Sequence, residues 1–247
     1  MKKYFLIFLV TLLLGTSMLL LVSCGGIDSD EDFDKAKEAY ATADAITLEI
    51  NDNNKSINYV LNKERLKTKM KIAFDAKMGV VAITLDYSRR NLLEVETGDG
   101  KYERYYVLDG MNVIFYNKYV GKYSQEWDTP TVIQFGTQEE AVAFLKEKYL
   151  NPVDIDNAEF PTFVKLNLNS SYTVNLFRNK YTFNRSDSRF SYIYTLYFAN
   201  GQITKFTYQH KTASTGNVDD SRKFSMSIKY SANITLPHDL PSLELAE

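Results

Sequence analysis

Residues 66–74 read Leu-Lys-Thr-Lys-Met-Lys-Ile-Ala-Phe, and this stretch decides the fold class. Its large apolar side chains and Thr68 stand at every second position, and lysines fill most of the positions between them. A period of two places one set on each face of a β-strand. The stretch therefore predicts a strand of an antiparallel sheet with one face in the core and the other in water.

The predicted solvent-exposed face of this strand carries Lys67, Lys69 and Lys71. Lysines on such a face discourage edge-to-edge pairing with other sheets. The same row of positive charge could instead contact anionic lipid. The sequence favours the solvated face and leaves lipid contact open as the alternative.

Alternation continues on both sides of this strand and predicts a meander of short strands. Residues 46–50 read as a strand that ends in a tight turn at residues 51–54, Asn-Asp-Asn-Asn. The alternation resumes after residue 79, and the Gly-Asp-Gly run at residues 98–100 predicts a turn between two further strands. Trp127 follows in a stretch without alternation, where a lone tryptophan more often fills a local gap than binds a ligand.

The last third of the chain alternates again. Residues 189–199 and 202–211 flank Asn200-Gly201, which is a strong signal for a two-residue hairpin. Aromatic residues occupy one face of both strands. A final alternating run from Phe224 to Leu236 predicts one long closing strand.

Two helical patterns interrupt the strands. Apolar residues at helical spacing predict a first helix over residues 32–45. Thr137 and Glu140 form a capping box for a second helix over residues 138–150. A twisted antiparallel sheet with few helices buries its apolar face only if it curls over them. We therefore predict an α+β fold in which a strongly curved antiparallel sheet, a half-open barrel, wraps around two or three helices.

The N-terminal stretch indicates where the protein resides. Residues 1–23 have the charged start, apolar run and final small residue of a signal peptide. Leu21-Val22-Ser23-Cys24 resembles the bacterial lipobox and holds the only cysteine. The resemblance implies that Cys24 becomes an N-terminus acylated with chains such as palmitate, which anchors the protein at the extracytoplasmic face of the cell membrane. An uncleaved membrane helix and a buried thiol at Cys24 are the alternatives.

The rest of the chain is predicted to be one domain. Residues 24–31 are rich in glycine and acids and predict a flexible tether, and residues 32–247 then form a single β-rich domain. Loss of Lys2 and Lys3 with the signal leaves 27 basic residues against 31 acidic ones. This balance argues against a nucleic-acid partner, because nucleic-acid-binding proteins carry an excess of positive charge.

In its architecture the chain is similar to the LolA/LolB-like superfamily of lipoprotein carriers, which includes the LppX/LprG-type lipoproteins. The resemblance covers nearly all of residues 32–237. Its features are the lipobox, a helix that ends in Ala43-Asp44-Ala45 and runs into a strand, the meander, the mid-chain helix, the Asn200-Gly201 hairpin and a strand that ends in Ile-Thr-Leu-Pro at residues 234–237. The resemblance implies a concave cavity for acyl chains or other apolar ligands.

Residues that alternate toward the predicted concave side are the candidate ligand-binding residues: Met70, Ile72, Phe74, Ile83, Leu85, Tyr192, Tyr194, Leu196, Phe198, Met226 and Ile228. The same residues also fit a plain hydrophobic core. If they fill the interior completely, the protein is instead a structural or interaction lipoprotein that acts through an exposed face.

No catalytic motif accompanies these strands in the sequence. The two histidines, His210 and His238, lie in a predicted strand and in a proline-rich tail. The sequence contains no nucleophile elbow, no phosphate-binding glycine loop and no Cys/His metal spacing. Acids alternate at residues 28–32 as in a calcium loop, but Phe33 stands where that loop requires glycine. We therefore expect a protein without enzymatic activity, cofactor or metal.

Overall fold

The computed structural model describes residues 30–56, 64–91, 96–121, 125–164, 172–175, 179–186, 190–212 and 219–242. The predicted signal peptide and Cys24 lie outside these residues. Within the described ranges the regular structure comprises eleven strands and two helices. Neither of these two helices has the length and apolar character needed to cross a membrane.

The strands form one sheet: β1 (Ala45–Ser56), β2 (Glu64–Asp75), β3 (Val80–Arg90), β4 (Glu96–Asp109), β5 (Asn112–Val120), β6 (Thr131–Gln134), β7 (Tyr172–Asn175), β8 (Lys180–Ser186), β9 (Phe190–Ala199), β10 (Gln202–Thr212) and β11 (Asp219–Lys229). Their order is β6-β5-β4-β3-β2-β1-β11-β10-β9-β8-β7. All neighbouring pairs are antiparallel. The sheet is open, with β6 and β7 at its edges, which confirms the α+β class and the antiparallel sheet.

Each half of the sheet is a meander, and the pairing of β1 with β11 joins the two halves. Thr47 pairs with Lys229, and Asn54 pairs with Arg222. The first and last strands of the described sheet therefore lie side by side at its centre. Because of this long-range pairing, both halves contribute to the same hydrophobic core.

Both helices lie on one face of the sheet, which we call the inner face. The first helix, α1 (Asp30–Ala41), contacts β10, and the second, α2 (Gln138–Leu150), contacts β2 to β5. The Thr137 hydroxyl accepts a hydrogen bond from the Glu140 amide at 3.2 Å, and the Glu140 carboxylate accepts one from the Thr137 amide at 3.3 Å. The predicted capping box and second helix are therefore confirmed.

The core lies between the helices and the inner face. Tyr40 of α1 and Tyr149 of α2 meet there edge-on, with ring centroids 5.7 Å apart. The Tyr40 hydroxyl donates a hydrogen bond to the Tyr149 carbonyl oxygen at 2.8 Å. The two helices are thus fixed to each other as well as to the sheet.

The predicted first helix over residues 32–45 is shifted, since α1 runs from Asp30 to Ala41. Strand β1 already begins at Ala45, so the intervening residues must connect the two elements. The predicted hairpin at Asn200-Gly201 is confirmed, with φ of 52° and 72° at these two residues. The short strands β6 and β8 were not predicted from the alternation.

The turn predicted at residues 51–54 is wrong. Strand β1 continues through these residues, and Asp52 pairs with Thr68 on one side and Phe224 on the other. Asn and Asp favour turns when their side chains bond to the nearby backbone. Here Arg222 of β11 binds the Asp52 carboxylate instead, and this tertiary contact overrides the local preference.

The turn predicted at residues 98–100 is also wrong, because β4 runs through them and Gly100 pairs with Tyr87. A Cβ atom on Gly100 would lie 2.5 Å from Cε2 of Tyr119. Glycine at this position therefore serves the close approach of an aromatic ring.

The predicted closing strand from Phe224 to Leu236 is wrong in its second half. Strand β11 ends at Lys229, close to the point where its partner β1 begins at Ala45. The described pairing between the two strands ends there, at Thr47 and Lys229.

Residues 231–240, which we call the C-terminal strap, lie on the opposite or outer face of the sheet. Ile234 packs there with Ala73 and Val80. Leu236 and Leu240 pack with a second group of outer-face residues, Tyr105, Ile114, Tyr116 and Trp127. The strap therefore covers the outer face of β2 to β5.

Candidate functional site at the polar end of the inner face

The strand register arranges the inner-face side chains in rows that cross the sheet. The apolar row comprises Leu85, Met70, Ile50, Met226, Phe206, Leu196 and Tyr181. The mixed row comprises Tyr87, Thr68, Asp52, Phe224, Tyr208, Tyr194 and Phe183. The polar row comprises Arg89, Leu66, Asn54, Arg222, His210 and Tyr192. Polarity therefore rises along the inner face toward one end of the strands.

The structure brings the predicted ligand-binding residues together on this inner face. Nine of the eleven are buried in one core cluster: Met70, Ile72, Phe74, Ile83, Leu85, Leu196, Phe198, Met226 and Ile228. The other two, Tyr192 and Tyr194, are half-buried in the polar and mixed rows. Cys24, the predicted acylation site, lies outside the described residues.

Aromatic side chains from the helices and from residues 151–164 cover the buried candidates. Tyr149 stacks on Phe74 with ring centroids 5.2 Å apart. Phe33 of α1 meets Phe198 edge-on at 6.5 Å. In this conformation the nine buried residues act as core. The surface that a ligand could contact is formed by the half-buried residues of the mixed and polar rows.

An ion pair occupies the centre of the mixed and polar rows. Arg222 Nη2 lies 2.6 Å from Asp52 Oδ2, and Arg222 Nε lies 3.1 Å from each carboxylate oxygen. The Asp52 side chain is only 4% exposed and that of Arg222 is 20% exposed. Burial raises the pKa of Asp52, and the hydrogen bond and charge of Arg222 oppose that shift. The pair holds a fixed cation and anion beside a largely apolar surface.

Tyrosines flank this ion pair on β9 and β10. The rings of Tyr194 and Tyr208 lie 5.1 Å apart, and Tyr192 stacks on His210 at 4.9 Å with an interplanar angle of 8°. Burial raises the pKa of Tyr208 to about 12. Half-buried tyrosines of this kind present an apolar ring together with a polar hydroxyl.

A second group of tyrosines flanks the pair on β3 to β5. Tyr87 stacks on Tyr102 with ring centroids 6.2 Å apart, and Tyr102 lies 5.0 Å from Tyr119. The Arg104 guanidinium lies 4.9 Å from the centroid of the Tyr102 ring. Burial, followed by a hydrogen bond with Tyr119, raises the pKa of Tyr87 to about 12. This side of the ion pair therefore also presents tyrosine rings, and a guanidinium lies against one of them.

The segment 151–164 after α2 contacts strands from both halves of the sheet. Arg89 of β3 donates a hydrogen bond to the Asp156 carboxylate, and Phe160 contacts Phe224 of β11 at 5.7 Å. Asp154 Oδ1 accepts hydrogen bonds from the amides of residues 156 and 158, both at 2.9 Å. The sequence analysis assigned this segment no role. The feature that could have indicated one is the presence of two phenylalanines in a stretch without regular structure.

A surface pocket lies at the other end of the inner face, beside the end of α1. Its volume is about 420 Å³, and its lining residues are Ala39, Ala43, Asp44, Ala45, Asp75, Lys77, Gln202 and Tyr230. The two carboxylates make this pocket a poor match for an apolar chain.

Trp127 lies on the outer face, away from the rows described above. Its ring contacts that of Tyr105 at 5.8 Å, and Lys118 Nζ lies 5.0 Å from its centroid. Two leucines of the C-terminal strap pack in the same cluster. The prediction that Trp127 fills a local gap is confirmed.

The two histidines lie far apart in the fold. His210 belongs to the polar row of the inner face, whereas His238 is exposed in the C-terminal strap on the outer face. Across the described ranges, no three His, Cys, Asp or Glu side chains group together as a metal site requires.

No protein-family model matches the chain, and no curated protein is similar enough to count as a match. The function must therefore be inferred from the residues themselves.

Proposed function

We propose that this chain is a membrane-anchored extracytoplasmic lipoprotein that binds an apolar or lipidic ligand between its helices and a curved sheet. The observation that carries the proposal is the gradient along the inner face, from the apolar row through the mixed row to the polar row. A ligand with an apolar chain and a polar head has the same gradient. Ligand sites are commonly apolar with a few placed polar groups.

Curvature of the sheet is part of the proposal. Twisted open sheets rarely exceed about 10 strands without curling, and this sheet has eleven. The two helices contact strands on both sides of the central β1–β11 pair. Segment 151–164 also contacts both sides, through Asp156 to Arg89 of β3 and through Phe163 to Phe206 of β10. These contacts support a half-open barrel that wraps around the helices.

The ligand would contact the half-buried tyrosines first. Tyr192, Tyr194 and Tyr208 would contact its chain, and Arg222 would lie near its polar group. Phe160 and Phe163 now lie over Phe224 and Phe206. A longer chain would displace these two phenylalanines to reach the buried candidate residues.

A structural or interaction lipoprotein with a filled core is the second candidate. The observation that favours it is the burial of nine of the eleven predicted ligand-binding residues in one packed cluster. In that case the inner face stabilises the fold, and the protein acts through its exposed surface.

Titration of the full-length protein with a fluorescent fatty acid tests the proposal. After removal of bound lipid, saturable binding is expected. Tyr192→Ala should weaken that binding by about tenfold, as expected for loss of one aromatic contact. Tyr197→Ala is the matched control, because Tyr197 lies on the same strand and faces the other side of the sheet. Absence of saturable binding would favour the filled-core alternative.

A further inference from the structure

The outer face of the sheet has two parts. The C-terminal strap covers β2 to β5, and the outer face of β1, β8 to β11 and most of β2 extends beyond it. We call this second part the basic face, because it carries seven lysines: Lys67, Lys69, Lys71, Lys180, Lys205, Lys223 and Lys229. Six of them are exposed and Lys180 is half-buried.

Lysines outnumber the acidic residues on this face. Glu49 pairs with Lys229 at 3.1 Å, and Asp219 and Asp220 stand at the start of β11, opposite Thr212 and Lys211. Asp86 stands beside Lys69 on the neighbouring strand β3. The full chain has a net charge of −2, so positive charge is concentrated on one face of an acidic protein.

The surface between the lysines is made of short side chains. Asn51, Ser225, Ser227, Thr207 and Thr195 lie between the lysines of β2, β11 and β10. The ammonium groups therefore stand above a surface of short polar side chains.

One aromatic ring lies on the same face. Lys180 Nζ and Lys205 Nζ lie 5.7 Å and 5.6 Å from the centroid of the Tyr197 ring. A tyrosine flanked by two cations suits the boundary between lipid headgroups and water.

We propose that the basic face docks against the anionic surface of the membrane that holds the lipid anchor. Clustered lysines are attracted to anionic lipid within about one Debye length of the surface, roughly 10 Å at moderate salt. This inference rests on the anchor of the proposed function and is independent of ligand binding. Docking through the outer face would leave the polar end of the inner face free for a ligand.

The position of α1 decides how the tether would run. The chain from Cys24 to Asp30 can span at most roughly 20 Å. Phe33 of α1 contacts Phe183 of β8 and Phe198 of β9 on the inner face. These two strands lie next to the edge strand β7, so the tether would pass around that edge when the basic face meets the bilayer.

Amine-reactive labelling of the full-length lipidated protein tests the proposal. The protein is placed in vesicles of phosphatidylcholine with or without phosphatidylglycerol, and the labelling rate of each lysine is read by mass spectrometry. In anionic vesicles the lysines of the basic face should react at least about threefold more slowly, and salt of about 0.5 M should abolish the difference. Lys77 and Lys146, which lie elsewhere, are internal controls.

A triple variant distinguishes docking of the whole basic face from a change in the reactivity of single lysines. In Lys67→Gln/Lys69→Gln/Lys71→Gln, the remaining lysines of the basic face should lose their protection, whereas Lys77→Gln/Lys146→Gln should keep it. Equal labelling in both kinds of vesicle would overturn the proposal. Protection in neutral vesicles after addition of soluble polyphosphate would also overturn it in favour of a dissolved polyanion.

Two further readouts identify which proposal fails. Flotation of the protein with neutral vesicles reports the anchor alone. Fatty-acid titration of the triple variant reports the inner face alone and should match the wild type.

Discussion

At the scale of single residues, Asp52 lies in an environment that an aspartate does not favour. Aspartate is depleted in strands, yet Asp52 lies inside β1 with its side chain 4% exposed. Arg222 supplies both a countercharge and hydrogen bonds. A charge buried in this way is tolerated because it is paired.

Removing Arg222 should therefore be costly. Arg222→Met leaves the Asp52 carboxylate without its cation and is expected to lower the free energy of unfolding by about 2–4 kcal/mol at pH 7. The double variant Asp52→Leu/Arg222→Met removes both charges and should recover most of that loss. Urea unfolding of the wild type and of the two variants measures these differences. A double variant no more stable than Arg222→Met would contradict the expected recovery.

The pH dependence of stability follows from the same pair. Burial raises the pKa of Asp52. The Asp52 carboxyl group therefore binds its proton more tightly in the folded protein than in the unfolded chain. The group therefore contributes stability at pH values below its ordinary pKa of about 4, and this contribution is lost as the pH rises through the folded-state pKa. In Arg222→Met the loss should be larger and extend to higher pH. Urea midpoints measured from pH 4 to 8 check this, and identical profiles would refute it.

At the scale of elements, strand β4 carries two glycines with different surroundings. A Cβ atom at Gly100 would meet the Tyr119 ring at 2.5 Å, whereas a Cβ atom at Gly98 would have no neighbour within 4 Å. Tyr119 of β5 in turn packs against Tyr102 of β4. One glycine thus creates room for an aromatic contact, and the other does not.

Gly100→Ala should displace Tyr119 and cost about 1–3 kcal/mol of stability, because the added methyl group overpacks the site. Gly98→Ala is the matched control and is expected to be neutral or slightly stabilising in a strand. Chemical unfolding of both variants measures the difference. If Gly100→Ala were as stable as Gly98→Ala, the close approach of Tyr119 would not be required.

Alternation along the chain was enough to predict most of the central strands. The capping box at Thr137 and the Asn200-Gly201 hairpin were predicted correctly because their signals are local. The turn predicted around Asp52 was wrong, since the partner that holds it in a strand is Arg222, 170 positions away. The closing strand was predicted too long because the sequence does not show where its neighbour begins.

The same distinction applies to the candidate site. Alternation identified its inner-face residues, including Tyr192 and Tyr194, which remain half-buried. It could not identify the ion pair or the contacts of segment 151–164, since these join residues that are distant in sequence. Whether the nine buried candidates contact a ligand stays a prediction.

At the scale of the whole molecule, the outer-face strap is expected to be part of one cooperative unit. Ile234 packs against the sheet with Ala73 and Val80. Ile234→Ala should lower stability by about 2–4 kcal/mol, because a buried side chain is truncated, whereas Thr235→Ala at an exposed neighbour should change it little. Trp127 fluorescence and far-ultraviolet circular dichroism should report the same midpoint. An earlier fluorescence midpoint would show that the strap detaches separately.

The two faces of the sheet suggest a division of roles. The inner face provides a surface that grades from apolar to charged, and the outer face provides a concentration of lysines. A lipid anchor at Cys24 would hold the outer face against the membrane. The inner face would stay available to an amphipathic ligand. The account therefore depends on the anchor and on ligand binding together.

Native mass spectrometry of the full-length protein, released from membranes in mild detergent, tests this account most directly. We predict a covalent mass increase at Cys24 from acylation, together with a further non-covalent adduct of one lipid that dissociates on activation. Tyr192→Ala should reduce the occupancy of that adduct, and Tyr197→Ala should not. A chain with an unmodified Cys24 and no lipid adduct would contradict the account.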